Sequence, residues 1–253
     1  MKKSFLNTTT PFITEMVQVP TAKQAELKIR NAIADGATAI GFQMSALEKQ
    51  YRTKETLTAL FSAAEDKPIY FTNYRGGFNE GTSDEELVDG LFFGLECGAT
   101  LVDVMGDTFC PAPEELTMDK TAIDKQIKLI DEIHKKGGEV LMSSHVYEYR
   151  APERVLEIAL EQQNRGADII KIVTGAQTQE EELENLGICN LLKKELKVPF
   201  LFLSGGKCSS LHRTIGPALG VCMWLCFQEY DETTYAGPPL LSNVLKIKQG
   251  LKL

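Results

Sequence analysis

The run DIIKIV (168–173) reads as a strand buried on both faces, yet its fourth residue is Lys171. Desolvation disfavours an ammonium and can lower a lysine pKa by several units. A lysine that becomes a neutral amine attacks carbonyl carbons and forms an imine. The iminium draws electrons from its neighbours, so it acidifies an adjacent C–H bond or weakens an adjacent C–C bond. Such chemistry needs a group that takes and returns a proton. His145 closes the preceding apolar run EVLMSS (139–144) and is of the right type. Arg213 ends the stretch SGGKCSSLHR (204–213) and could hold a carboxylate through two parallel hydrogen bonds. Each residue also has a plainer reading: a snorkelling or ion-paired lysine, a satisfied strand-end histidine, a surface arginine. Only a fold that brings all three to one place favours the chemistry.

The elements that must position them follow from hydrophobic periodicity. Strands are predicted at 11–19, 38–44, 68–73, 100–105, 139–144, 168–173, 199–204 and 220–227. Helices are predicted at 21–35, 53–65, 83–97, 119–136, 152–165, 178–196, 209–217 and 240–251. GTSDEEL (81–87) offers an N-cap followed by acidic residues, and ADGAT, ECGAT and NRGAD place glycine at helix ends. Strands joined by helical crossovers run parallel. Eight such units point to a (β/α)8 TIM barrel, a single domain over residues 1–253. A doubly wound open sheet is the alternative, weakened because no GxGxxG follows the first strand.

In a barrel the chemistry sits at the C-terminal ends of the strands. Strands 5 and 6 lie about 4.8 Å apart, so His145 and Lys171 can address one ligand. Further polar candidates at these ends are Glu15 and Gln18 in strand 1, Gln43 in strand 2, Asp103 in strand 4 and Gln228 after strand 8. The Gly-rich stretch NYRGGFNEG (73–81) adds Tyr74 and Arg75 and suits a mobile lid. SGGK is part of a plain turn rather than a phosphate loop, since it lacks the full GxxxxGK[ST] spacing.

Composition narrows the partners. The chain has 253 residues, 43% hydrophobic, and a net charge of −8. No basic block offers a nucleic-acid or anionic-membrane surface. The longest apolar stretch, GVCMWLCF (220–227), is too short to span a bilayer, and MKKSFLNTTTPF lacks the apolar core of a leader. A cytoplasmic protein is expected. The six cysteines form no CxxC pair and read as free core thiols, with Cys222 and Cys226 on one buried strand face. His134, His145 and His212 are scattered, so no metal site is expected.

At these residues the sequence resembles the type I 3-dehydroquinate dehydratases. MSSHVYEYRAPE (142–153) is similar to that family's M-S-x-H-D-F-x-x-T-P segment, which makes His145 its catalytic histidine. DIIKIVTGAQT (168–178) is similar to its D-x-x-K-I-A stretch, with Lys171 at the Schiff-base position. GGKCSSLHR (205–213) is similar to its M-G-x-x-G-x-x-S-R loop, with Arg213 binding the substrate carboxylate. IYFTNYRGGFNEG (69–81) resembles the F-T-x-R-x-x-x-E-G-G segment. The resemblance implies dehydration of 3-dehydroquinate to 3-dehydroshikimate, a shikimate-pathway step toward aromatic amino acids. It implies no cofactor and commonly a homodimer.

The sequence also departs from the family. Where the family reads E-W-R-x-D, this chain has GFQMS (41–45), with Gly41 and Gln43 at the charged positions. Met105 replaces the glutamate that orients the histidine, so Asp103 or Glu15 would have to substitute. Tyr74 stands at the lid arginine, with Arg75 beside it, and in YAGPPLL Leu240 falls near a glutamine position. A site built to bind hydroxyls loses much when its polar partners go. Three readings follow: a 3-dehydroquinate dehydratase; a Schiff-base dehydratase, aldolase or isomerase for a less hydroxylated oxo-acid; or a non-catalytic metabolite-binding barrel. Glu15, Gln43, Tyr74, Arg75 and Gln228, with Arg213, are the expected pocket residues.

Overall fold

Each βα unit begins with a run of residues that cannot be satisfied in water. In the computed structural model, which describes residues 3–6, 9–235 and 237–252, these runs form eight parallel strands. They are β1 (Phe12–Val17), β2 (Ala39–Gln43), β3 (Ile69–Thr72), β4 (Leu101–Met105), β5 (Glu139–His145), β6 (Ile169–Gly175), β7 (Phe200–Gly205) and β8 (Met223–Cys226). Their order around the sheet is β7-β6-β5-β4-β3-β2-β1-β8. Between β7 and β8 the closure is a single parallel bridge, Phe200 to Val221, so the barrel is nearly closed. This is a single-domain (β/α)8 barrel.

Eight helices wrap it: α1 (Ala22–Ala34), α2 (Lys54–Ser62), α3 (Asp84–Glu96), α4 (Lys120–Lys135), α5 (Pro152–Asn164), α6 (Gln179–Glu195), α7 (Ser210–Ile215) and α8 (Leu241–Leu251). Their starts are written locally. Ser83 and Glu86 complete a capping box on α3, and Thr178 and Glu181 complete one on α6. Gly98 and Gly166 follow α3 and α5 at φ +108° and +98°, a conformation that lets the chain turn into the next strand.

The core lies between strands and helices. Phe42, Phe61 and Phe71 meet there, with Phe61 edge-on to both of the others. Each ring is fully buried and contributes about 3 kcal/mol. Helix α3 reaches this layer because Gly94 lacks a side chain; a Cβ there would come within 2.7 Å of the Phe71 ring.

Two expectations need correction. The eighth strand is shorter than 220–227, because Gly216–Leu219 forms a 3-10 turn ended by Gly220 at φ +118°. Cys222 therefore precedes β8 and is only half-buried, as are Cys110 and Cys208, whereas Cys97, Cys189 and Cys226 are buried. The AGPP loop (236–239) begins on residue 236, outside the described residues. No helix among the described residues is long and apolar enough to cross a membrane.

Candidate active site

Strand parity decides what faces the barrel axis. On β6, Lys171 and Val173 face inward; on β5, Ser143 lies beside Lys171 and His145 beside Val173. Lys171 is 4% exposed. Its Nζ donates to the Tyr74 hydroxyl at 2.5 Å and the Tyr70 hydroxyl at 3.0 Å, and lies 3.3 Å from Asp103 Oδ2. Both tyrosine hydroxyls donate to that same carboxylate oxygen. Burial, and then the Asp103 charge, hold Tyr70 and Tyr74 well above the ordinary tyrosine range, so both are neutral donors. An ammonium in a buried strand is therefore satisfied by one carboxylate and two hydroxyls.

The cavity above this cluster has a volume of about 540 Å³. Its polar wall includes Gln18, Gln43, Tyr74, Arg75, Glu115, His145 and Arg213, with Lys171 beneath. Its apolar wall is Met16, Met105, Val173, Leu203 and Leu225, and Tyr147 and Tyr235 stand at the mouth.

His145 is oriented by a residue the sequence did not suggest. Its Nδ1 lies 2.9 Å from Glu115 Oε1, and Ser143 Oγ donates to the same oxygen at 3.3 Å. Neither Asp103 nor Glu15 plays this part: Asp103 is held by Lys171 and the tyrosines. Glu115 arrives from the β4–α4 connection, where Glu114 and Glu115 both have positive φ, +61° and +49°. Such backbone is costly for a residue with a side chain and persists only where surrounding bonds demand it. Here Glu114 pairs with Arg150 and Arg154, and the Glu115 carbonyl accepts from Ser144. Tyr147, also at positive φ (+60°), stacks on the His145 ring at 5.8 Å.

Arg213 is 7% exposed. Its Nε donates to the Ser204 carbonyl at 2.5 Å, while Nη1 is buried with no partner among the described residues. Burial pulls its guanidinium below the ordinary range, though an arginine stays charged in proteins. Arg213 lines the cavity, and a guanidinium there is suited to an anion. Its neighbour His212 faces away, against Cys189 at 3.4 Å and the Phe202 ring.

The other expected pocket residues divide. Gln43 lines the cavity but is tied to Gln18 at 2.9 Å and Ser45 at 3.1 Å. Arg75 is there too, but its guanidinium forks onto Asp84 and also binds Asp107 at 2.7 Å. The segment expected as a mobile lid carries that clamp, and its Asn79 bonds to Asn73 and to the Tyr74 carbonyl. Glu15 and Gln228 do not face the cavity. Met16 occupies the inward position of β1, so Glu15 points to the helix layer, where Oε1 accepts the Gln228 N–H at 3.0 Å. The Gln228 side chain reaches Asp35 at 2.6 Å. Leu240 is also outside the cavity wall; it bridges to Phe227.

Glu15 has a consequence for stability instead. Burial pushes its carboxyl up to about 8. The folded state thus holds this proton more tightly than the unfolded chain. The contribution is complete below about pH 4.5 and is lost as pH rises through about 8. Glu15→Gln removes that titration. Between pH 5 and pH 9 the variant's stability relative to the parent is expected to improve by about 4 kcal/mol in urea unfolding. No improvement with pH would contradict the buried, protonated Glu15.

Among the described residues no group of three or more His, Cys, Asp or Glu is placed to hold a metal ion. Comparisons with known proteins fit this geometry. The family model described as type I 3-dehydroquinase matches residues 16–227. The structure is similar to 3-dehydroquinate dehydratase from Geobacillus kaustophilus HTA426, with a TM-score of 0.84, 17% identity, and 98% of this chain and 93% of that chain covered. It is similar to type I 3-dehydroquinate dehydratase from Clostridium difficile with covalently modified comenic acid, with a TM-score of 0.80, 18% identity, and 99% and 98% coverage. The Enterococcus faecalis 3-dehydroquinate dehydratase gives a TM-score of 0.76 at 16% identity, with 97% and 95% coverage. At such identities the structures establish the fold. No curated protein matches the chain significantly.

Proposed function

The chain belongs to the type I 3-dehydroquinase family, and from that premise we propose that it is a lyase working through an imine on Lys171. The reaction proposed is dehydration of 3-dehydroquinate to 3-dehydroshikimate. One observation carries this reading: a buried lysine, a carboxylate-oriented histidine and a buried arginine line a single cavity at the C-terminal mouth of the barrel.

Lys171, as the free amine, attacks the ketone carbon, and loss of water leaves an iminium. The iminium acidifies the adjacent carbon. With Nδ1–H donating to Glu115, His145 keeps a lone pair on Nε2 and takes that proton. The enamine electrons then expel the hydroxyl one carbon further on, which leaves as water with the proton His145 returns. Hydrolysis of the conjugated iminium frees Lys171.

Arg213 holds the substrate carboxylate in this scheme. Arg213→Met keeps the bulk and removes the charge. KM for an oxo-acid is expected to rise on the order of a hundredfold, whereas imine trapping of the corresponding uncharged ketone is unchanged. Equal losses for both compounds would remove Arg213 from carboxylate binding.

The wall of Met16, Met105, Leu203 and Leu225 favours a second reading, a less hydroxylated oxo-acid handled by the same imine chemistry. The space beside Gly41 is filled by Met16, whose Sδ would lie 2.3 Å from a Cβ there. Ultraviolet appearance of the conjugated product from 3-dehydroquinate separates the readings. Turnover selects the first. No turnover, with borohydride-trapped adducts on Lys171 from simpler oxo-acids, selects the second. Comenic acid, covalently modified in the Clostridium difficile structure, is a suitable additional probe. No adduct on Lys171 from any of them would leave a binding barrel.

A further inference from the structure

We propose that Tyr74 is a catalytic proton relay for imine formation, carrying a proton between Lys171, Asp103 and the oxygen that leaves as water. The proposal rests on the imine reading above and assigns who moves protons before His145 acts. Making an iminium from an ammonium and a ketone requires two proton movements. The ammonium must first give one up, and the carbinolamine hydroxyl must later receive one. Both must happen at Lys171, at the base of the cavity.

The geometry supplies a path. The Tyr74 hydroxyl accepts from Lys171 Nζ at 2.5 Å and donates to Asp103 Oδ2. It thus bridges the amine to a carboxylate that Nζ reaches directly only at 3.3 Å. Asp103 Oδ1 is buried without a partner among the described residues, so this carboxyl group has an open position. Tyr70 makes similar bonds but does not line the cavity; Tyr74 does, and its ring edge rests on His145 at 5.1 Å. Only Tyr74 therefore touches the amine, the carboxylate and the space where the carbonyl oxygen arrives.

The step balances. Tyr74 takes a proton from Nζ as it passes its own to Asp103. The neutral amine forms the C–N bond, the carbonyl pair moves to oxygen, and that oxygen collects a proton from nitrogen. Asp103 then returns its proton through Tyr74 to the carbinolamine hydroxyl. The C–O bond breaks, water leaves, and the nitrogen lone pair closes the C=N bond. An ammonium and a ketone enter; an iminium and a water emerge, with one positive charge on each side. A relay suits this tyrosine better than a standing acid does. Burial beside Asp103 disfavours a tyrosinate, and a hydroxyl that gives one proton while taking another never becomes one.

Glyoxylate with cyanoborohydride provides the test, read by peptide mass spectrometry, with the exposed Lys207 as internal standard. In the parent protein Lys171 is expected to be modified well ahead of Lys207. Tyr74→Phe is expected to slow modification of Lys171 by about a hundredfold with Lys207 unaffected, and Tyr70→Phe by less than tenfold. At fixed pH and ionic strength, raising the buffer acid concentration should partly restore the Tyr74→Phe rate, because solvent acids replace the relay; a packing defect would not respond. Parent-like modification of Lys171 in Tyr74→Phe, equal losses in both variants, or no response to buffer acid would overturn the relay. If Lys171 in the parent protein is no faster than Lys207, the imine reading itself falls and takes the relay with it.

Discussion

Lys171→Met is expected to abolish borohydride-trapped adducts and to lower turnover by on the order of 10⁴-fold or more, because it removes the bond-forming atom. No second lysine or cysteine is among the residues that line the cavity. Water alone cannot make the electron sink. Methionine keeps an unbranched chain one atom shorter than lysine, so the wall is opened little. Asp103 loses its cation but keeps both tyrosine hydroxyls, and the cost in stability stays below the roughly 3 kcal/mol of an abandoned buried ion pair. Activity and stability therefore separate: urea unfolding should still show a folded, cooperative variant while turnover is lost. Turnover within tenfold of the parent would remove Lys171 from the chemistry.

The barrel was legible because alternation of apolar strands and capped helices is a local property. Thr178 with Glu181 and Ser83 with Glu86 announce helix starts without any tertiary information. The location of Lys171 and His145 was legible for the same reason, since strand ends are counted from strand beginnings. What failed was parity and loop geometry. A one-residue shift in β1 exchanges Glu15 for Met16 at the cavity, and nothing in FITEMV by itself says which residue faces inward. Even spacing would have linked Tyr70 on β3 to Tyr74, two residues past the strand's end, and so revealed the lysine's surroundings. Glu115 was less accessible still. Its carboxylate reaches His145 only through two successive left-handed residues, which their sequence, two glutamates, does not favour. In NYRGGFNEG the ion pairs of Arg75 with Asp84 and Asp107 depend on other parts of the chain and could not be read from its composition.

His145→Ala is expected to lower turnover by about 10²–10⁴-fold while leaving the adduct on Lys171 in place. The two measurements test different steps. In the proposed scheme imine formation uses the amine and the proton path through Tyr74 and Asp103, none of which His145 donates to. Elimination needs a base on the adjacent carbon, and the one cavity histidine, held by Glu115, is suited to it. Trapping the parent during turnover should yield two adducts on Lys171 that differ by one water, from substrate and product. Trapping His145→Ala should yield the heavier one alone, because the adjacent proton is never removed. The outcome also bears on how the site divides its work. In the proposed scheme Tyr74 and Asp103 serve the nitrogen, whereas His145 and Glu115 serve the carbon. If His145→Ala lost adduct formation and turnover in equal measure, that division would fail. The histidine would then be acting on the carbinolamine, in the place assigned to Tyr74.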